Sequence, residues 1–378
     1  MIRNEAFFDA LKKNGIEFYC GVPDSLLKNF CAYLSDVTDS KEHIITANEG
    51  AAIALATGYH ISTGKMPLVY LQNSGLGNAV NPLLSLADPE VYRIPMLLMV
   101  GWRGEPGVAD EPQHRKQGRI QNSMLDAMGI PYFTLDADSP DVKGLVSKAV
   151  NKANETGGAV AIVVRKNAFE LCEQRVGRRR NFNLPREEAI TCVLDKLSSD
   201  DIIVSTTGKA SREVYEYREY RNQGHKNDFL TVGSMGHASQ IALGIALHTN
   251  RTVFCLDGDG SVIMHMGSLA IIGENAPRNF KHIVLNNGAH DSVGGQPTVG
   301  FDISIPTIAK ACGYQSVFTV SSKEELEAKL TKFLSMNGPV LLEINVDTGA
   351  REDLGRPEST PVENKHELMK TLGSNSHL

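Results

Sequence analysis

An aspartate between two glycines and a pair of asparagines further on carry the most chemistry in this sequence. Asp257-Gly258-Asp259-Gly260 follows the apolar run Val253 to Leu256, and Asn286-Asn287 follows the apolar run Ile283 to Leu285. From Asp259 to Asn287 is 28 positions. That is room for one strand–helix–strand unit, which takes roughly 30 residues with both strands counted. Two parallel strands ending this way set carboxylate and amide oxygens at one edge of a sheet. Oxygen donors among glycines suit a hard cation such as Mg²⁺ that in turn holds a phosphate group. The carboxyl edge of parallel strands is also where open α/β sheets bind their ligands. D-G-D-G and N-N-G are common tight turns as well, and it is the spacing that favours a site.

The elements that must position these residues repeat. A helix carrying Phe7, Phe8 and Leu11, capped at Asn4 and stopped by Asn14-Gly15, precedes a strand over Glu17 to Cys20. A small-residue helix from about Glu49 to Ser62 precedes strand Leu68 to Gln72, and Met96 to Val100 and Ala159 to Val164 read as further buried strands. The second half echoes the first. Helix 187–197 and strand Ile202 to Ser205 match the opening pair, and AIALATGYHISTGKMPLVYLQNSG matches QIALGIALHTNRTVFCLDGDG. GIPYFTLDADSPDV matches GYQSVFTVSSKEEL, with Ser139 and the Ser322-x-x-Glu325 capping box opening corresponding helices. A period this long means two similar domains rather than a solenoid. The expected fold is α/β, with two similar three-layer domains of parallel sheets flanked by helices. Boundaries fall at 1–172, a polar and basic linker over 173–184, a second domain over 185–348 and a tail over 349–378. The run Arg178-Arg179-Arg180 in that linker reads as a solvated connector, although it could touch a phosphate.

Composition bounds the rest. A chain of 378 residues, 42 % hydrophobic and 22 % charged, has the make-up of a globular protein with more than one core. A net charge of −6 argues against general nucleic-acid binding. The six cysteines are scattered with no C-x-x-C pair, which fits free thiols in a reducing compartment. The opening residues follow an amphipathic helical pattern rather than a secretion signal, and no apolar run approaches the roughly 18 residues of a membrane span. A cytoplasmic protein without membrane contact is expected.

These motifs, in this order, resemble the thiamine diphosphate enzymes. Gly258-Asp259-Gly260 with Asn286-Asn287 looks like their diphosphate-binding motif. Gly233-Ser234-Met235-Gly236 resembles the segment that holds the aminopyrimidine, and Asn48-Glu49-Gly50-Ala51-Ala52 resembles the start of the family's glutamate helix. The resemblance spans nearly the whole chain, as a pyrimidine-binding domain followed by a diphosphate-binding domain. It implies thiamine diphosphate and Mg²⁺ as cofactors, the metal held by Asp259, Asn287 and the Ala289 carbonyl. Gly258, Gly260 and Ser261 would line the diphosphate. Glu49 would hydrogen-bond the pyrimidine ring nitrogen and so promote loss of the thiazolium C2 proton. The Gly233 carbonyl would accept from the cofactor's amino group, Ser234 would lie beside it, and Met235 would support the bent cofactor. Asp24, in Gly21-Val22-Pro23-Asp24-Ser25, matches a catalytic aspartate of related decarboxylases; it also reads as a plain helix cap. In the family the cofactor bridges two subunits, which implies a homodimer or higher homo-oligomer.

Gly101 to Arg119 and Asn286 to Pro297 resemble the decarboxylases of phosphonopyruvate and sulfopyruvate, as does the closing LGRPESTPVENKHELM. Arg103, His114, Arg115, Lys116 and Arg119 form a basic loop, punctuated by Gly and Pro, that suits a polyanionic 2-oxo acid, and His290 could face the substrate. The expected reaction is decarboxylation of 3-phosphonopyruvate to phosphonoacetaldehyde and CO₂, with sulfopyruvate as the alternative substrate. Two other readings stand beside it. Gly75-Leu76-Gly77-Asn78-Ala79-Val80 resembles a nicotinamide fingerprint but lacks the third glycine and the acidic residue about 20 positions on, so it reads as a turn. A non-catalytic two-domain binder would not need Glu49, Asp259 and Asn287 together.

Overall fold

A computed structural model describes residues 1–172 and 182–373. The chain divides into two compact units, one comprising Met1–Gly177 and Val293–Gln296, the other Arg178–Ser292 and Pro297–Leu378. The arginine run 178–180 lies outside the described residues.

The first unit holds six strands: β1 (Tyr19–Gly21), β2 (His43–Ile45), β3 (Leu68–Gln72), β4 (Met96–Gly101), β5 (Tyr132–Leu135) and β6 (Ala159–Val164). They are all parallel, in the order β2-β1-β3-β4-β6-β5. The second unit holds β7 (Ile202–Ser205), β8 (Asp228–Leu230), β9 (Val253–Gly258), β10 (Phe280–Asn286), β11 (Ser316–Val320) and β12 (Val340–Asn345). Read from its β8 edge the order is β8-β7-β9-β10-β12-β11, again all parallel. The two orders are the same pattern, so the internal repeat is a repeat of topology.

Parallel sheets are covered on both faces, and their strands therefore read as near-continuous apolar runs. Every residue of β4 and β6 is buried. In the first sheet Leu68, Tyr70, Leu97 and Met99 join one apolar cluster, while the alternating Val69, Leu71, Leu98 and Val100 join another on the opposite face. In the second, Leu256, Ile283 and Leu285 face one cluster, and Cys255 and Val284 the other. Each unit is thus a helix–sheet–helix sandwich. In each, the strand order reverses between β1 and β3 or between β7 and β9, and again at the far edge, where β6 lies inside β5 and β12 inside β11. The reversal at β1/β3 and at β7/β9 leaves a crevice outside the carboxyl ends of the strands.

Four local expectations change. Asn4 is the first residue of its helix, Asn4–Lys13, and its side chain donates to the Glu170 carbonyl instead of capping. The helix expected at Ser139 starts at Val142 and is capped by Asp141. The stretch after Gly101 is a loop only as far as Glu111; Pro112–Ala127 is helical. Proline suits the first helical turn, where its missing N–H would have no partner. The tail carries a helix of its own, Pro361–Thr371, opened by a capping box between Thr360 and Glu363. Asn364 from that helix accepts from the Leu230 N–H and donates to the Asp228 carbonyl. It satisfies the backbone of edge strand β8, which would otherwise be open to pairing.

Candidate active site

In the second unit β9 and β10 pair in register from Val253 with Phe280 to Gly258 with Leu285. The chain therefore leaves the sheet at Asp259 and at Asn287 on neighbouring strands, which lie about 4.8 Å apart. Asp259 is 2 % exposed. Its carboxylate accepts from the Thr298 hydroxyl and from the backbone N–H groups of Asn287 and Gly260. Burial pushes its pKa up to about 6, and the groups that oppose the rise are a hydroxyl and backbone amides rather than a cation. A buried carboxylate so placed lacks a counter-charge.

The two asparagines divide the work. Asn286 is a brace: its amide donates to the Gly300 carbonyl at 2.8 Å and to Glu343 at 3.0 Å, and its oxygen accepts from the Gly288 N–H. Asn287, also buried, turns its oxygen back to the Ala289 N–H at 3.1 Å. A β-carbon at Gly300 would lie 2.5 Å from an Asp259 oxygen and 2.7 Å from the Asn286 oxygen. Only glycine leaves that oxygen cradle open. Beneath it, Asp257 lies 3.5 Å from the His282 ring, whose other nitrogen pairs with the Tyr314 hydroxyl at 3.0 Å.

The turn Gly233 to Gly236 comes to the same place. The Gly236 N–H and the Thr206 hydroxyl both meet the Ser261 hydroxyl, each at 3.0 Å. Ser234 holds a left-handed backbone at φ 55°, and Met235 and the His290 ring flank Gly260. Gly258 ends β9. Burial lowers the His290 pKa to about 4, so at neutral pH it presents an uncharged ring. The second unit thus brings together Gly233, Ser234, Met235, Gly258, Asp259, Gly260, Ser261, Asn287, Ala289 and His290.

In the first unit Glu49 opens the helix Glu49–Thr63 and is 6 % exposed, with Asn48 capping the helix through the Ala51 N–H. One Glu49 oxygen accepts from the Asn78 amide at 2.8 Å. The other lies where Gly75 would carry its β-carbon, 2.3 Å away. The turn that resembled a nicotinamide fingerprint is a short helix, Leu76–Pro82, whose start is the wall of the Glu49 carboxylate. Asp24 is fully buried between β1 and β4; it accepts from Gln72 at 2.6 Å and from the Leu26 N–H at 3.0 Å. Burial raises its pKa, against Gln72 and the nearby Arg103.

The basic stretch does not converge on one point. The Arg103 guanidinium grips Asp110 with two nitrogens and gives a third to the Ser25 hydroxyl at 2.6 Å. Burial would raise the Asp110 pKa, but the bonds from Arg103 and the Gly104 N–H hold it below the usual carboxylate range. Burial lowers His114 to about 4. Arg115, Lys116 and Arg119 stand exposed on the helix Pro112–Ala127.

Comparison with known proteins gives the family to which the chain belongs. The N-terminal thiamine pyrophosphate (diphosphate) binding domain of thiamine pyrophosphate enzymes matches residues 2–130, and their C-terminal binding domain matches residues 206–344. The chain belongs to the thiamine pyrophosphate enzymes. It is similar to phosphonopyruvate decarboxylase of Streptomyces viridochromogenes, at 36 % identity over 92 % of this chain and 89 % of the relative. The enzyme of the same name from Streptomyces hygroscopicus is 35 % identical over 92 % of this chain and 88 % of its own. Sulfopyruvate decarboxylase of Methanosarcina acetivorans is 29 % identical over 97 % of both chains. Within the thiamine pyrophosphate enzymes the chain therefore stands among the decarboxylases. Among the described residues no helix is long and apolar enough to cross a membrane.

The residues present fit this cofactor. The oxygen-only cradle at Asp259 and Asn287, with its buried uncompensated carboxylate, suits a magnesium-bound diphosphate. Four residues of the two sites, Asn78, Gly75, Thr298 and Gly300, do not stand out in the sequence as site residues. The first two lie in a motif that reads as a turn; the others sit on a strap that carries no motif.

Proposed function

We propose that the protein decarboxylates 3-phosphonopyruvate to phosphonoacetaldehyde and CO₂ with thiamine diphosphate and Mg²⁺. The observation that carries this reading is the 36 % identity to a phosphonopyruvate decarboxylase over 92 % of the chain, together with Glu49, Asp259 and Asn287 at the two carboxyl edges. Sulfopyruvate, a sulfonate of similar shape, is the alternative, and the lower identity of its decarboxylase disfavours it.

Asp259, Asn287 and the Ala289 carbonyl would hold Mg²⁺, and with it the diphosphate. Gly258, Gly260 and Ser261 would line that group with backbone and hydroxyl donors. The Gly233 carbonyl, with Ser234 and Met235, would orient the aminopyrimidine. When bound, the cofactor supplies the electron sink for the charge left as CO₂ departs. Glu49 would hold or release a proton at the pyrimidine nitrogen. Asp24, buried and raised in pKa, would serve proton transfer to the product. His290 would wall the substrate pocket as a neutral ring. Arg103, His114, Lys116 and Arg119 remain the candidates for the phosphonate. A homodimer or higher homo-oligomer, with sites completed between subunits, and a cytoplasmic location complete the proposal.

The test is a substrate panel of phosphonopyruvate, sulfopyruvate and pyruvate, with and without Mg²⁺. Phosphonopyruvate should give the highest kcat/KM, and removal of Mg²⁺ should abolish turnover. Faster turnover of sulfopyruvate would overturn the substrate assignment.

A further inference from the structure

We infer that Asn78 is the positioning residue for Glu49 and fixes which of its two oxygens carries the exchangeable proton. The inference rests on the reading of Glu49 as the residue that meets the pyrimidine nitrogen. Asn78 sits in the first turn of the helix Leu76–Pro82, and its Nδ2 donates to Glu49 Oε2 at 2.8 Å. The two helix starts are held together by backbone as well, since a β-carbon at Gly50 would lie 3.0 Å from the Asn78 carbonyl oxygen. Glu49 is thereby locked in one rotamer. An amide N–H only donates, so Oε2 acts as the acceptor in both protonation states. The carbonyl oxygen of a protonated carboxyl is its better acceptor, so this bond favours the hydrogen of a protonated Glu49 on Oε1. That oxygen lies against Gly75, where a β-carbon would stand 2.3 Å away. The absence of a side chain at Gly75 keeps approach to Oε1 open. Asn78 is itself exposed, so its substitution removes a donor without opening a core cavity.

The experiment measures deuterium exchange at C2 of thiamine diphosphate bound to the Mg²⁺-loaded protein, with no substrate present. Wild type, Asn78→Ala, Asn78→Asp and Glu49→Gln are compared across a pH series, with thermal unfolding of each as the folding control. A hydrogen bond to a charged group is worth roughly a 10-fold to 100-fold effect. Exchange should slow by about that factor in Asn78→Ala. Asn78→Asp keeps the shape but replaces the donor by an anion, so it should slow exchange at least as much and displace the pH profile upward. If Asn78 only fills space, Asn78→Ala exchanges at the wild-type rate and only the added charge of Asn78→Asp moves the profile, and that result overturns the inference. Wild-type exchange in Glu49→Gln would instead overturn the role of Glu49 itself. Normal C2 exchange without phosphonopyruvate turnover would overturn only the substrate assignment and leave Asn78 in place.

Discussion

The two halves of this protein share one strand order and place a buried carboxylate at the same point in it, on opposite sides of one contact. In each, the turn after the third strand touches the start of the helix that precedes that strand. In the first half Gly75 and Asn78 touch Glu49; in the second Ser261 holds the Gly236 N–H just before the helix Ala238–Ala246. What differs is which side of that contact carries the acid. The first half puts its carboxylate at the helix start, bonded by the neutral Asn78 amide. The second puts its carboxylate on the turn, beside an amide oxygen, buried with hydroxyl and backbone N–H partners rather than a cation. Topology fixes the location, and a few side chains fix the role.

The sharpest way to break this division is to neutralise each carboxylate in turn. Asp259→Asn removes the charge that would hold the metal. It should cost at least about 10³-fold in kcat/KM, because a bound metal ion contributes several kcal/mol, and it should weaken thiamine diphosphate binding in calorimetry. Glu49→Gln should lower kcat by roughly 10²-fold to 10⁴-fold, the usual contribution of general acid–base catalysis, with cofactor affinity nearly kept. Equal loss of cofactor affinity in both variants would show that the halves do not divide anchoring from activation.

A pH series probes the second half alone. Asp259 stands at about 6 against an ordinary value near 3.9. Its folded-state pKa is raised, so the native metal-free protein favours the protonated form. The stability this group contributes is complete below about pH 4 and is lost as pH rises through 6. That loss is of order 3 kcal/mol. Mg²⁺ needs the carboxylate, and its affinity should fall about tenfold per pH unit below 6. Thermal unfolding with and without Mg²⁺ should therefore show strong protection at pH 7.5 that fades towards pH 5. Protection independent of pH would mean that Asp259 does not hold the metal.

Much of this comparison is legible in the amino-acid sequence. The runs Leu68–Gln72, Ala159–Val164 and Ile202–Ser205 read at their observed ends because they are buried on both faces and bounded by Gly, Pro or polar residues. The repeat follows from these strands and from the small-residue helices before them. Strand β8 leaves no such trace, because three residues at a sheet edge carry no periodicity. The helix Pro112–Ala127 reads as a loop because Gly107, Pro112 and Gly118 punctuate it. Gly118 is there for another reason: a β-carbon would lie 1.9 Å from the Gly104 carbonyl oxygen. The site divides along the same line. Residues in compact motifs are visible in the sequence, and those brought in by tertiary approach, Asn78, Thr298 and Gly300, are not.

The smallest effect is expected where the two halves have no matching feature, on the exposed face of the helix Pro112–Ala127. Lys116 and Arg119 both stand exposed there. Arg103, by contrast, is committed to Asp110 and Ser25. If the phosphonate draws only on the exposed pair, each contact is a solvent-screened charge interaction worth about 1 kcal/mol or less. Lys116→Ala and Arg119→Ala should then raise the KM for phosphonopyruvate by about fivefold at most, leave kcat unchanged, and leave pyruvate kinetics untouched. The effect should shrink as salt is added, because exposed charges are screened over roughly 10 Å at 0.1 M. A rise in KM of about 100-fold from either variant, some 2.7 kcal/mol, would mean that this helix forms a closed anion site in the assembled enzyme. It would also assign substrate selection to the first half.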